Sequence, residues 1–170
     1  MKRLAPALFA LSLVAVAAPA SADLGAISVM YGGSVSEIQG ERTWQPTLWI
    51  DMNFAVAGPL HLGGYVQFLG ESFPLDDPGA GGGFQVALRG EIKKKFRLTG
   101  AFNVGYLKVP IGNSEKEGAA TISAFGAFGY AFLSWMAIET RFRWINYFKM
   151  SDGAPSIAWN MEGGFTFYID

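Results

Sequence analysis

The chain has 170 residues, of which 51% are hydrophobic, 15% aromatic and 16% charged, with 22 glycines and no cysteine. That mixture excludes a disordered tail, which needs fewer apolar residues, and a helical bundle, which needs fewer glycines. Thirteen basic against 14 acidic residues exclude a basic nucleic-acid module, the missing cysteine excludes a disulfide framework, thiol nucleophile, iron–sulfur cluster or lipidated N-terminal cysteine, and a single histidine argues against a zinc site.

The first element is not part of the fold. Lys2 and Arg3 give a positive start, residues 4–18 form an apolar stretch, and Ala20, Ser21 and Ala22 read as an A-x-A cleavage site. Residues 1–22 are therefore expected to be a secretory signal peptide. A membrane anchor is the competing reading, but the stretch falls short of the ~20 residues a spanning helix needs and runs into Pro19. Removing 22 residues from 170, with Lys2 and Arg3 among them, leaves a single domain at 23–170 with a formal charge of −3. That charge suggests no polyanionic partner.

After Ala22 there is no apolar run long enough for a spanning helix; the chain alternates with period two instead. From Thr43 onward one phase reads Trp44, Pro46, Leu48, Ile50, Met52, Phe54, Val56, and the other Thr43, Gln45, Thr47, Trp49, Asp51, Asn53, Ala55, Ala57. A strand separates those sets onto two faces, whereas a helix would scatter them. The same test gives eight strands, near 24–34, 43–57, 60–70, 82–92, 96–109, 119–132, 135–148 and 156–169. Tight connections at Gly58 and Pro59, at Lys93, Lys94 and Lys95, and at Leu133 and Ser134 alternate with longer ones at 35–42, 71–81, 110–118 and 149–155. This is the layout of an up-and-down meander with both termini on the short-turn side.

Volume decides which phase faces inward. The apolar phase carries about three dozen bulky side chains, while a small eight-stranded interior is filled by roughly a dozen. The other phase is small or weakly polar, as at Thr121, Ser123, Ala127 and Gly129, or Ser156, Ala158, Asn160, Gly164 and Thr166, without the lysines and glutamates of a soluble surface. The expected fold is all-β: an eight-stranded antiparallel up-and-down transmembrane β-barrel, apolar face to lipid and polar face to the lumen.

With its signal peptide, eight amphipathic strands and a last strand of alternating aromatics, the sequence resembles the small Gram-negative outer-membrane barrels of the OmpA transmembrane domain and OmpX type. The resemblance spans 23–170 as an architecture and implies location in the cell outer membrane, with lipid and lipopolysaccharide as surroundings. The segment Gly164, Phe165, Thr166, Phe167, Tyr168, Ile169 resembles the terminal signal read by the barrel-assembly machinery, with Gly164, Phe167 and Ile169 as its key positions. The chain departs from that pattern by ending in Asp170 rather than Phe, and the peptidoglycan anchoring of longer relatives is not expected of it.

The charges on the inner phase are Asp51, Arg89, Glu91, Arg97, Glu139, Arg141, Arg143 and Glu162, four of each sign. Balanced charge in a narrow interior implies mutual pairing, so these eight are expected to form a network that plugs the lumen. Glu91 and Arg97 would face each other across the lysine turn. The alternative is a solute path lined by Arg141 and Arg143.

Trp44, Tyr106, Trp135, Trp144, Tyr147, Trp159 and Tyr168 are expected to form the interfacial aromatic girdle, and Lys93, Lys94 and Lys95 a solvated periplasmic turn. Some small barrels modify lipid A, but the only base, His61, falls at the periplasmic end with no serine within two residues, so no catalytic residue is assigned. Gly79, Gly81, Gly82 and Gly83 lack the last glycine of a dinucleotide loop, with Phe84 in its place, and read as a surface loop. Asp76, Asp77, Glu115 and Glu117 read as solvated loop charges rather than a Ca²⁺ site, so no metal, cofactor or nucleic-acid partner is assigned. Surface contact through 35–42, 71–81, 110–118 and 149–155 is the expected role of a plugged barrel. The second reading resembles the OmpW type, passing small apolar molecules along inner-phase Trp49, Tyr65, Leu69, Leu107 and Phe125.

Overall fold

A computed structural model describes residues 23–38, 41–70, 75–93, 95–112, 115–148 and 157–169. Eight strands follow one another: β1 (Gly25–Ile38), β2 (Glu41–Ala57), β3 (Leu60–Leu69), β4 (Gly79–Ile92), β5 (Phe96–Gly112), β6 (Glu115–Leu133), β7 (Met136–Phe148) and β8 (Ile157–Ile169). Each pairs antiparallel with its neighbours in sequence, and β8 closes back on β1, so the sheet is a ring without an edge. Closure gives the strand backbones partners without water, which is the condition for placing a sheet in hydrocarbon.

The short connections, the start of β1 and the end of β8 share one end of the barrel. Leu24 N–H donates to Ile169 O and Ala55 N–H to Leu24 O, while Arg89 N–H donates to Pro59 O and Tyr168 N–H to Trp135 O. Gly58 takes φ 52°, the left-handed conformation that costs glycine little and that this tight turn requires. Lys93 adopts φ 54° in the next turn on that side, an uncommon conformation for a residue with a side chain.

At the opposite end the strands run further than the alternation indicates. The expected loop at 35–42 is mostly ladder, since β1 and β2 stay paired through Glu37↔Arg42 and Ile38↔Glu41. The expected loop at 110–118 is likewise the end of the β5–β6 hairpin, paired from Lys108↔Gly118 through Gly112↔Glu115 with one irregularity. At 71–81, β4 already begins at Gly79, so the glycines read as a loop are wall. Serine, glutamate, glycine and proline carry a turn signature, but a hairpin that stands in water needs no apolar face and hides its period. The segments 1–22 and 149–155, and Lys94, lie outside the described residues.

Strand length shows how far those hairpins project. The 19 residues of β6 at ~3.3 Å per residue and a ~40° tilt rise about 48 Å, against an apolar band of ~25 Å. The β5–β6 hairpin thus stands well clear of the band.

The two faces have inverted polarity relative to a water-soluble barrel. Phe84, Met161, Val56, Phe142, Ile138 and Val104 lie outside and exposed, Phe84 by 82%. Asp51, Arg89, Glu139, Arg141, Arg143 and Glu162 lie inside, none more than 3% exposed. Among the girdle aromatics, Trp44, Tyr106, Trp135 and Trp159 do face outward. Tyr147 and Tyr168 do not: both are buried in the lumen, because they share parity with Arg143 and Glu162 on their strands. Proximity to a strand end outweighed the alternation in that expectation, and the alternation was the better guide.

Candidate functional site

Among the described residues the lumen is where charge gathers away from water, and the register explains how. On β7, Glu139, Arg141 and Arg143 fall at alternate positions and so point inward in a row. On β8, Asn160, Glu162 and Thr166 answer them, with Arg141 opposite Glu162 and Arg143 opposite Asn160 in the ladder. β2 sends in Trp49, Asp51 and Asn53, and β4 sends in Arg89 and Glu91.

These side chains meet in defined pairs. Arg143 grips Glu162 with two parallel hydrogen bonds, Nε donating to Oε1 at 2.9 Å and Nη2 to Oε2 at 3.2 Å. The same guanidinium lies over the Trp49 ring, 3.6 Å from its centroid, and over Phe125 at 4.4 Å. Asn103 satisfies both amide atoms when its oxygen accepts from Arg143 Nη1 at 2.8 Å and its nitrogen donates to Gln85 Oε1 at 2.9 Å. Arg141 donates from Nε to Glu139 at 2.6 Å and from Nη1 to Asp51, which also accepts from Asn53 at 3.0 Å. Glu139 in turn accepts from Thr166 at 3.1 Å. A forked guanidinium between carboxylates and aromatic faces fills space that a flexible lysine would leave mobile.

Two further tiers bracket this centre. At the short-turn end Arg97 donates to Glu91 at 2.5 Å and to Asp23 at 3.1 Å, with its guanidinium 4.5 Å over the Tyr168 ring. Towards the hairpin end Met30, Trp49, Tyr65, Leu69, Leu107, Val109, Ile145 and Tyr147 form one buried apolar cluster. Trp49 and Tyr65 meet within it with their rings tilted at 33° and centroids 4.8 Å apart. Inner glycines make the room, since a Cβ on Gly81 or Gly105 would strike the opposite backbone, and on Gly105 also the Tyr65 hydroxyl. The inner-phase residues Trp49, Tyr65, Leu69 and Leu107 therefore pack against one another, and Phe125 lies under Arg141 and Arg143.

The structure brings Asp51, Glu139 and Arg141 into one group, Arg143 and Glu162 into a second, and Glu91 and Arg97 into a third. Arg89 reaches Asp51 only at 3.9 Å. Sequence reasoning missed Asp23, which precedes β1 and so carried no strand parity, and it missed His61 as a fully buried lumen residue. His61 was legible: it sits in phase with Tyr65, Gln67 and Leu69. Of the terminal positions, Phe167 and Ile169 point outward and Gly164 inward, where a Cβ would strike the Val29 carbonyl oxygen. Among the described residues no group of three or more histidines and carboxylates is placed to hold a metal ion.

A closed eight-stranded antiparallel ring with an apolar exterior and a charge-filled interior defines the class: the fold of the small outer-membrane β-barrels. Among solved structures the chain is similar to the neisserial surface protein NspA, with a TM-score of 0.64 at 6% identity over 84% of this chain and 96% of that one. It is also similar to Ail, the attachment invasion locus protein of Yersinia pestis, with a TM-score of 0.54 at 14% identity over 84% and 97%. Ail in complex with the heparin analogue sucrose octasulfate gives 0.51 at the same identity and coverage. No protein-family model and no curated protein sequence matches the chain.

Proposed function

We propose that the protein is an integral outer-membrane barrel with a structural or surface-contact role, whose lumen is sealed rather than conducting. One observation carries the reading: the Asp51–Arg141–Glu139 and Arg143–Glu162 groups sit beneath a packed apolar tier, with none of these five residues above 2% exposed. A solute path needs hydrated walls, whereas these charges are spent on one another. In this reading residues 1–22 direct export through the inner membrane and are cleaved ahead of Asp23. The assembly machinery reads Gly164, Phe167 and Ile169, and outer-membrane lipid and lipopolysaccharide cover the exterior.

Surface contact then belongs to the hairpin end, where β1–β2 and β5–β6 project. The exposed charges there are mixed in sign, with Arg42, Lys108 and Lys116 beside Asp76 and Asp77. A protein surface of mixed charge suits them better than a polyanion. No catalytic group is assigned.

The test is planar-bilayer conductance of the refolded barrel beside a variant with Arg141→Ser and Arg143→Ser, both checked for folding by gel mobility. The native barrel is expected to be silent and the variant to leak. Steady native conductance would refute the seal and favour the OmpW-like passage past Trp49, Tyr65, Leu69 and Leu107.

A further inference from the structure

Among the described residues four arginines enter the lumen, and three of them donate to a carboxylate: Arg97 to Asp23 and Glu91, Arg141 to Asp51 and Glu139, Arg143 to Glu162. Arg89 is the exception. It is 3% exposed, and none of its Nε, Nη1 and Nη2 finds a hydrogen-bond acceptor among the described residues. Asp51 Oδ1 lies 3.9 Å from Nη2, but Asp51 already accepts from Arg141 and Asn53.

One strand away, His61 is fully buried and neither of its ring nitrogens has a partner among the described residues. His61 pairs with Ala87 across β3 and β4, which places it diagonal to Arg89 on the inner face. The wall continuing from them carries small side chains, three of which, Ala87, Ala101 and Ala127, form one buried cluster with Phe125. Ala87 faces Ala101, Arg89 faces Thr99, and Thr99 faces Ala127 in the next ladder, all on the inner phase. These donors have no acceptor among the described residues, and the side chains of Thr99 and Ala127 on the strands beyond them are small. A guanidinium offers five N–H groups in a fixed fork and a neutral imidazole one more, and a buried donor left unsatisfied is strongly unfavourable.

We infer that Arg89 and His61 bind a small inorganic anion, of chloride to phosphate size, in the short-turn half of the lumen. The Arg89 fork donates to it, bidentately where the anion is an oxyanion, and the His61 ring N–H donates from the β3 side. Asp51 sets the limit of the site towards the centre, because its carboxylate repels an anion and is held by Arg141. The way out to the short-turn end passes the Asp23–Arg97–Glu91 group and Tyr168, so the anion enters during folding or when that group opens. The inference does not depend on whether the far half of the lumen conducts.

The experiment is nuclear magnetic resonance of protein labelled with ¹⁵N at arginine and histidine, refolded in detergent in sodium phosphate, sodium chloride or sodium gluconate at matched ionic strength. His61 is the only histidine, so its ring signals need no assignment. Phosphate or chloride is expected to shift the His61 ring signals and one arginine Nε signal saturably, with gluconate, too large to enter, leaving both unmoved. The salt that saturates distinguishes an oxyanion site from a halide site. Arg89→Gln is expected to abolish the shift, while Lys108→Gln, an exposed cation at the other end, retains it. Identical spectra in all three salts, or shifts that track ionic strength without saturating, would overturn the inference and leave water as the partner of Arg89. The unmodified protein alone decides the matter if Arg89→Gln fails to refold.

Discussion

The Arg143–Glu162 pair offers the sharpest test of the sealed lumen. Both side chains are wholly buried, they share two hydrogen bonds at 2.9 and 3.2 Å, and Arg143 lies over the Trp49 and Phe125 rings. Arg143→Met keeps the bulk but strands Glu162, whose one other hydrogen-bond donor among the described residues is Asn160 Nδ2 at 3.3 Å. Removing one partner of a buried pair is expected to destabilise by about 3–5 kcal/mol. Glu162→Gln alone strands the guanidinium, at a cost of the same order but reduced by the remaining amide oxygen. Because each single change leaves an uncompensated charge and the double change leaves none, the double variant is expected to lose at least about 2 kcal/mol less than the two singles together. Urea titration of the refolded barrel in lipid vesicles, followed by far-ultraviolet circular dichroism and gel mobility, reads all three values. Single losses below about 1 kcal/mol that simply add would show a water-filled lumen with a surface-like ion pair, and the reasoning would fail.

Three other changes probe the rest of the architecture. Phe84→Arg puts a charge at an apolar position of the outer face that is 82% exposed, and folding into vesicles is expected to weaken by about 2–4 kcal/mol; an unchanged urea midpoint would place that face in water. Gly63→Ala drives a methyl group into the Met52 carbonyl oxygen and is expected to cost about 1–3 kcal/mol, whereas Gly126→Ala meets nothing within 4 Å and is expected to be neutral or slightly stabilising in the same titration. Lys116→Gln breaks the 2.5 Å contact with Asp77, but both side chains are partly exposed, so the loss is expected to stay below about 1 kcal/mol and to vanish in high salt.

Much of this molecule could be read from residue order because a strand in a barrel states its two environments at alternate positions. Trp44, Leu48, Ile50, Met52 and Phe54 could not all enter a narrow lumen with the other strands' apolar sets, so volume alone turned them outward. The same parity placed Asp51, Glu139, Arg141, Arg143 and Glu162 inside, and would have placed Tyr147, Tyr168 and His61 there too. Parity failed at the β1–β2 and β5–β6 hairpin ends, where polar residues on both sides leave no alternation to detect, and at the start of β4, where glycines carry no side chain to mark a face.

Partner choice inside the lumen belongs to tertiary structure. Arg141 reaches Asp51 across 90 positions of sequence and Arg97 reaches Asp23 across 74, contacts that arise only when the sheet curls and β8 pairs with β1. Sequence order supplies the charges and their facing, because the pleat has period two. Which guanidinium is shared, which lies against aromatic rings and which, like Arg89, has no acceptor among the described residues depends on barrel curvature and strand stagger, and these are properties of the closed ring that no single strand encodes.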